Sequence, residues 1–264
     1  MVDSHCHLAD EVFEGDLELV IARAREAGLT SALTILAAGD DGEARRAERV
    51  AALWPEVRFA VGVHPHHAHT CASPGQATAL LDDALSRNGR IRVIGEIGLD
   101  YHYDYSPKDV QQAVFAEQIA FAVDRDLPVV IHTREADDDT FAILERQRPG
   151  RVRGVFHCFT GEVAAAERAV ALGFFVSFAG IVTFPRAQNV RDAVHVVPDA
   201  QLLAETDSPF LAPVPFRGKR NEPAWVMRVA EQLAEIRGSA PEAIARIVTD
   251  NFVRLCGEDG PAAR

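Results

Sequence analysis

Histidines and acids stand at the ends of several short apolar runs in this sequence. His5 and His7 are two residues apart, a spacing that puts both side chains on one face of a β-strand. Glu96, His132 and His157 each close an apolar run further along the chain. Imidazole and carboxylate together are ligands for Zn, Mn or Fe, whereas Mg and Ca prefer oxygen alone. We therefore expect a divalent metal site if the fold gathers these side chains.

A further run, Leu202 to Asp207, adds two acids that strand alternation places on one face, Glu205 and Asp207. Any one of these histidines alone is better interpreted as an isolated polar residue at a strand end, because structural and surface histidines outnumber metal ligands. Taken together, the expected ligands exceed what one tetrahedral ion accepts, so we predict two ions, Mg, Mn or Zn, about 3.5 to 4 Å apart with a shared carboxylate. The candidate ligands from the residues alone are the imidazoles of His5, His7, His132 and His157 and two or three carboxylates, from Glu96, Glu205 and Asp207.

The elements that would position these residues follow from the hydrophobic pattern. Short apolar or β-branched runs predict strands at 2–7, 30–36, 57–63, 91–96, 128–132, 152–157, 174–178 and 201–206. Helical patterns fill the intervals, for example at 17–27, at 42–54, and from Pro107 to about Arg125 with Ser106 as N-cap. Two more helices, at 222–236 and 241–255, would close the ring.

Eight strands, each followed by a crossover within about 250 residues, predict an α/β protein with a single-domain (β/α)8 TIM barrel over residues 1–264. A doubly wound open sheet is the alternative, but no glycine-rich phosphate turn follows the first predicted strand. In a barrel, the carboxyl ends of all strands meet at one mouth. The predicted ligands would therefore converge there.

Composition limits the classes of protein that fit. The chain has 27 Lys and Arg against 39 Asp and Glu, a formal charge of −12, so long-range attraction to a polyanion is excluded and any phosphate contact must be local. The four cysteines form no close pair, which is typical of reduced thiols, and we expect Cys6 to be a packed thiol. Without a signal-peptide pattern or an apolar run of about 20 residues, we expect a cytoplasmic protein with no membrane contact.

Motifs from the first predicted strand to the last barrel helices resemble those of the TatD-type metal-dependent deoxyribonucleases, which are amidohydrolase-like barrels. The matching stretches are DSHCHL at 3–8, GVHP at 62–65, GEIGLDY at 95–101, HTR at 132–134, FHCFTG at 156–161, ETDSP at 205–209 and RGKRNEP at 217–223. The resemblance implies that His5, His7, Glu96 and Asp207 bind one ion. It also implies that Glu96, His132 and His157 bind the second, with Glu96 bridging. The activity it implies is metal-dependent cleavage of DNA, often as a 3'-5' exonuclease.

The chemistry expected of such a centre is hydrolysis. A metal-bound water has its pKa lowered to about 7, which provides a hydroxide to attack phosphorus at neutral pH. We predict Asp207 and Glu96 as catalytic residues, Asp207 to orient the water and accept its proton. The predicted partner is DNA, as single strands or frayed ends, with no obligate protein partner. The alternatives are an ester or amide hydrolase, acting on an aminoacyl ester or a lactone, and a non-catalytic binding protein.

Other residues near the predicted mouth are candidates for holding substrate. His64 and His66 flank Pro65 after the third strand, where they would contact phosphate or protonate a leaving oxygen, or simply be loop histidines. Arg134, two residues beyond His132, would bind phosphate through two hydrogen bonds or be an exposed arginine.

A basic cluster follows the eighth strand, where a barrel would meet an anion. Arg217, Lys219 and Arg220 form this cluster, and we predict that Lys219 and Arg220 bind substrate, the alternative being a solvated loop. Glu205 is expected to steady a ligand imidazole, or to be a buried acid paired with the basic loop. Asp100 and the tyrosines around it are interpreted as loop structure, with weak support for stacking on a base.

Overall fold

The computed structural model describes residues 1–146 and 151–257. Within these residues, eight parallel strands pair in chain order, each with its neighbour in sequence. The ends of the sheet approach each other through a bridge between Cys6 and Ser208. The predicted TIM barrel is confirmed, and the open-sheet alternative is excluded because the first and last strands meet.

Helices cover the outside of the ring, and short 3-10 segments join some of the elements. None of the described helices is long and apolar enough to cross a membrane. The strands are β1 Val2–Cys6, β2 Ser31–Ala37, β3 Arg58–Gly62, β4 Ile91–Asp100, β5 Val129–Arg134, β6 Gly154–Phe156, β7 Phe175–Phe178 and β8 Leu202–Ala204. The helices are α1 Leu17–Glu26, α2 Asp41–Leu53, α3 Gln76–Arg87, α4 Lys108–Asp124, α5 Asp137–Arg146, α6 Val163–Ala171, α7 Gln188–Val196, α8 Val226–Arg237 and α9 Pro241–Cys256.

The largest difference from the predicted strands is in β4, which continues to Asp100 instead of ending at Glu96. Its second half keeps the strand pattern, because Ile97 and Leu99 are fully buried and alternate with residues of the opposite face. The prediction ended the strand early because Glu96 closes the apolar run in the sequence. The consequence is that Glu96 and Asp100 lie on one face of the same strand.

Two predicted helix starts are also wrong. Helix α4 begins at Lys108, and Ser106 does not cap it. The Ser106 hydroxyl instead donates to the carbonyl of His66 and accepts from the backbone N–H of His69, because a loop from the β3 side packs against it. Helix α8 begins at Val226, after a 3-10 turn that starts at Pro223.

Buried polar groups, together with backbone pairing, join β1 to the last strand. Asp3 is fully buried and accepts hydrogen bonds from both the backbone N–H and the hydroxyl of Thr206. Burial raises the pKa of Asp3 to about 8, although the bonds from Thr206 oppose this shift. The Ser4 hydroxyl donates to the carbonyl of Ala204, at 3.0 Å. We call this junction between β1 and the segment 202–208 the seam of the barrel. The ring therefore closes through side chains as well as through the short backbone bridge.

Gly154 tests how closely two barrel strands approach. A Cβ added at Gly154 would overlap the carbonyl oxygen of its partner in β5, Val129. We expect Gly154→Ala to lower the free energy of unfolding by about 3 kcal/mol, the upper range for overpacking in a core. Gly15→Ala is the matched control, because nothing lies within 4 Å of a Cβ there. Equal stabilities of the two variants in urea denaturation would contradict this account of the packing.

Candidate metal centre

Residues from β1 and from the loop after β8 form the first group of metal-type side chains. The backbone N–H of Asp207 donates to the carbonyl of His5 at 2.9 Å, and that of His7 donates to the carbonyl of Ser208 at 2.8 Å. These bonds bring Asp207 Oδ1 to 3.6 Å from His5 Nε2 and 3.5 Å from His7 Nε2. The two imidazole nitrogens are 3.3 Å apart, and Glu96 Oε2 lies 3.5 Å from His5 Nε2. We call this group site A.

A second group forms on the other side of Glu96. Glu96 Oε1 lies 2.8 Å from His132 Nδ1 and 2.7 Å from His157 Nε2, and these two nitrogens are 3.3 Å apart. His64 approaches the same oxygen, with its Nε2 at 3.4 Å. We call Glu96 Oε1, His132 and His157 site B. Glu96 thus directs one carboxylate oxygen to each site, as the predicted bridging role requires.

The donor set fits divalent ions. In site A the four contacts that join His5 to His7, Glu96 and Asp207, and His7 to Asp207, are 3.3 to 3.6 Å long, too long for good hydrogen bonds between imidazole and carboxylate. That spacing is close to the separation of about 3.4 Å between ligands arranged tetrahedrally at about 2.1 Å from one ion. In site B the contacts to Glu96 have hydrogen-bond lengths, so the imidazoles there would release protons when an ion binds. Nitrogen and carboxylate oxygen in this mixture suit Zn, Mn or Fe.

Acids outside the two sites orient two of the imidazoles. Glu205, fully buried, lies with its Oε1 3.3 Å from His157 Nδ1 and accepts the backbone N–H of Cys158. Asp100 Oδ2 lies 3.1 Å from His132 Nε2. Carboxylates in this position fix the orientation of a ligand histidine and raise its basicity. Glu205 therefore lies where a residue that steadies a ligand imidazole would lie.

Asp100 is a buried acid beside site B whose position the sequence interpretation missed. It was interpreted as loop structure, but it is the last residue of β4 and is almost fully buried. Besides His132, its Oδ2 contacts His66 Nε2 at 2.9 Å. The signal that could have found it is its spacing of four residues from Glu96, which in a continuous strand puts both acids on one face.

Burial and charge act against each other in the two sites. Burial alone would raise the pKa of Glu96, but the charge of His157 and the hydrogen bond from His132 hold it well below its ordinary value. Burial lowers the pKa of His157, yet Glu96 and Glu205 raise it well above the usual range. Asp207 also has a lowered pKa, because the contact with His7 and the charges of the nearby imidazoles outweigh burial. The acids are therefore carboxylates at neutral pH, ready to bind cations.

The histidines predicted to hold substrate lie beside site B. Burial lowers the pKa of His64 to about 4, so this imidazole is neutral at pH 7 and can donate one hydrogen bond. The His66 imidazole is within hydrogen-bond distance of the Asp100 carboxylate. Arg134 is exposed, with its guanidinium 5.0 Å from the centre of the Tyr103 ring. It borders a cavity of about 290 Å³ that His157 also lines.

The three side chains of the predicted basic cluster, Arg217, Lys219 and Arg220, each contact a different residue. Arg220 forms two hydrogen bonds to Asp16, at 2.8 and 2.6 Å, and this ion pair accounts for its charge without a substrate. Arg217 lies over the ring of Phe184, and the Lys219 ammonium lies 5.7 Å from the ring centre of Phe216. In the part of the chain that the structure describes, none of the three forms an ion pair with site A or site B. Substrate binding by Lys219 and Arg220 stays a prediction.

Comparison with known proteins adds an independent finding. A family model described as TatD related DNase matches residues 2–257. An uncharacterized metal-dependent hydrolase of Bacillus subtilis (strain 168) is 40% identical over 97% of this chain and 98% of its own length. A 3'-5' ssDNA/RNA exonuclease of Pantoea sp. (strain At-9b) is 34% identical over 97% of this chain and 98% of its own. The crystal structure of a TatD homologue from Escherichia coli K12 superimposes with a TM-score of 0.88 at 32% identity, covering 98% of both chains.

Metal binding should raise the Tm of the protein. A ligand at one hundred times its dissociation constant stabilises a folded protein by about 2.7 kcal/mol, so we expect chelation to lower the Tm and added Mn or Zn to restore it. Glu96→Gln keeps the shape of the side chain but removes the shared charge, and should abolish most of the metal-dependent change. His195→Asn is the matched control, because His195 is exposed on α7. An equal metal response of wild type and Glu96→Gln in calorimetry would contradict the assignment.

Proposed function

The chain belongs to the family of TatD-related DNases, and we propose that it cleaves phosphodiester bonds at DNA ends as a 3'-5' exonuclease. Membership supports metal-dependent hydrolysis as the general activity. The observation that carries the finer proposal is the position of Glu96, with one oxygen toward each of two groups of nitrogen and oxygen donors. Paired ions sharing a carboxylate are typical of nucleases and other phosphoryl-transfer sites.

Sites A and B would hold the two ions, through His5, His7, Asp207 and Glu96 in one and Glu96, His132 and His157 in the other. When bound, such ions supply a water whose pKa is lowered to about 7 and positive charge for the phosphate oxygens. Asp207 would orient this water and accept its proton, because its Oδ1 lies at the edge of site A and its lowered pKa keeps it ionised. Neutral His64, beside Glu96, would donate a hydrogen bond to a phosphate or leaving oxygen.

Charge favours a strand end over a long duplex. With a formal charge of −12, the protein repels DNA at a distance, so binding energy must come from contacts at the mouth. Only a short segment of a single strand or a frayed end needs to enter there. We therefore propose single-stranded DNA ends as the substrate, which agrees with the name of the Pantoea relative.

The substrate class can be tested directly with metal-stripped protein. Restoring Mg, Mn or Zn separately, we expect end-labelled single-stranded DNA to shorten stepwise from its 3' end, with blunt duplex cut more slowly. A lactone and an aminoacyl ester run beside the DNA are the controls, since the same ions can polarise a carbonyl. Ester hydrolysis without DNA cleavage under every metal would overturn the proposal in favour of a carbon ester substrate.

The role of Asp207 gives a second test. Asp207→Asn retains a ligand oxygen but cannot accept a proton, so we expect partial metal binding and a fall in kcat of about 10² to 10⁴, the range for general base catalysis. Asp250→Asn, an exposed change on α9, is the matched control. Near-normal turnover by Asp207→Asn at saturating metal would show that another group takes the proton.

A further inference from the structure

Two exposed tyrosines lie beside site B and take no part in the proposed hydrolysis. Tyr103 is 40% exposed and Tyr105 is 59% exposed, and their ring centres are 5.2 Å apart with 31° between the ring planes. His66 packs against both rings, at 5.4 Å from Tyr103 and 4.8 Å from Tyr105. Two large rings thus present their free surfaces to solvent next to the residues that would hold a metal.

The loop that carries the rings is held in place by the residues around site B. Asp100 Oδ1 accepts hydrogen bonds from the backbone N–H groups of His102 and Tyr103, at 2.9 and 3.4 Å. The Gln111 side chain donates to the carbonyls of Asp100 and Ser106, at 3.0 and 2.9 Å. Because Asp100 Oδ2 contacts His132, one carboxylate joins the tyrosine loop to a ligand of site B. These hydrogen bonds therefore fix the position of the loop relative to site B.

A cation with free hydrogen-bond donors lies beside the Tyr103 ring. The guanidinium of Arg134 lies 5.0 Å from the centre of the Tyr103 ring. Among the described residues Arg134 forms no ion pair. The carboxylate of its neighbour Glu135 contacts His102 instead, with Oε1 2.7 Å from Nδ1. Arg134 also lines the cavity that reaches His157. Its donors are thus available to an anion that enters beside site B.

We propose that Tyr103 and Tyr105 stack an unpaired nucleobase of the substrate strand while Arg134 contacts a phosphate of the same strand. This inference rests on the proposed nuclease function and names how that site selects its substrate. An aromatic surface stacks with every base, so it needs no particular sequence. A base inside a duplex is already stacked and paired, and it cannot reach the rings without being released. The adjacent guanidinium favours a nucleotide over an uncharged acyl group, because it provides for the phosphate.

The experiment compares intact and abasic substrates. For a single-stranded oligonucleotide, we expect the double variant Tyr103→Ala and Tyr105→Ala to raise KM about tenfold to a hundredfold, the range for loss of base stacking, with kcat little changed. Tyr103→Phe and Tyr105→Phe together should restore a nearly normal KM, because phenylalanine also stacks. Leu19→Ala removes an exposed apolar side chain on α1 and is the matched control.

The same oligonucleotide carrying an abasic residue at the first, second or third position from the cleaved end completes the test. If one position is the stacked one, wild type should show the raised KM on that abasic substrate, and the alanine variant should show no further increase. An equal effect of the variant on the intact and all abasic strands, or no effect, would overturn base stacking while leaving the nuclease assignment intact. Failure of wild type to cleave any of these strands would instead overturn the proposed function and the inference with it.

Discussion

A buried carboxylate shared by two groups of imidazoles is the interaction on which the site depends. Glu96 is 7% exposed, and burying an ionised acid is strongly unfavourable unless opposite charges or hydrogen bonds compensate it. His132 and His157 provide that compensation on one oxygen, while His5 lies near the other. The negative charge of Glu96 can thus be balanced either by protonated imidazoles or by divalent ions. The charge of Glu96 is thus one physical reason why these imidazoles lie together around it.

Closure of the barrel completes site A. His5 and Asp207 lie about 200 residues apart in the chain, and the hydrogen bond between their backbones forms only where β1 meets the segment after β8. Asp3 reinforces that seam through Thr206, the residue before Asp207. A change that loosened the seam would separate the ligands of site A without touching any of them. The stability of the barrel and the ability of site A to bind a metal would therefore both depend on this seam.

The fold was predictable from local patterns, whereas some of the site depends on contacts that no local pattern contains. Alternation along β1 predicted that His5 and His7 share a face, and apolar runs identified the strands of the barrel. Asp100 was missed because the predicted strand ends at Glu96, the acid that closes the apolar run. Arg220 was predicted to meet substrate because of its basic neighbours, but its partner Asp16 is 204 residues away in sequence. Charge clusters in a sequence do not show which acids will neutralise them after folding.

That neutralisation changes how the acidic surface should be understood. Arg23 on α1 forms an ion pair with Glu222 in the loop after β8. Arg220 in the same loop forms one with Asp16, the residue before α1, so both ion pairs hold this loop against α1. Among the described residues Arg134, Arg217 and Lys219 form no ion pair, so these cations, with any ions held in sites A and B, are the positive charge left to contact a phosphate. Such charge acts over a short range, since the surrounding acids oppose any longer-range field. Affinity for a strand would therefore come from the few nucleotides at the mouth, and the proposed stacking of an unpaired base on Tyr103 and Tyr105 would contribute a large share of the binding energy.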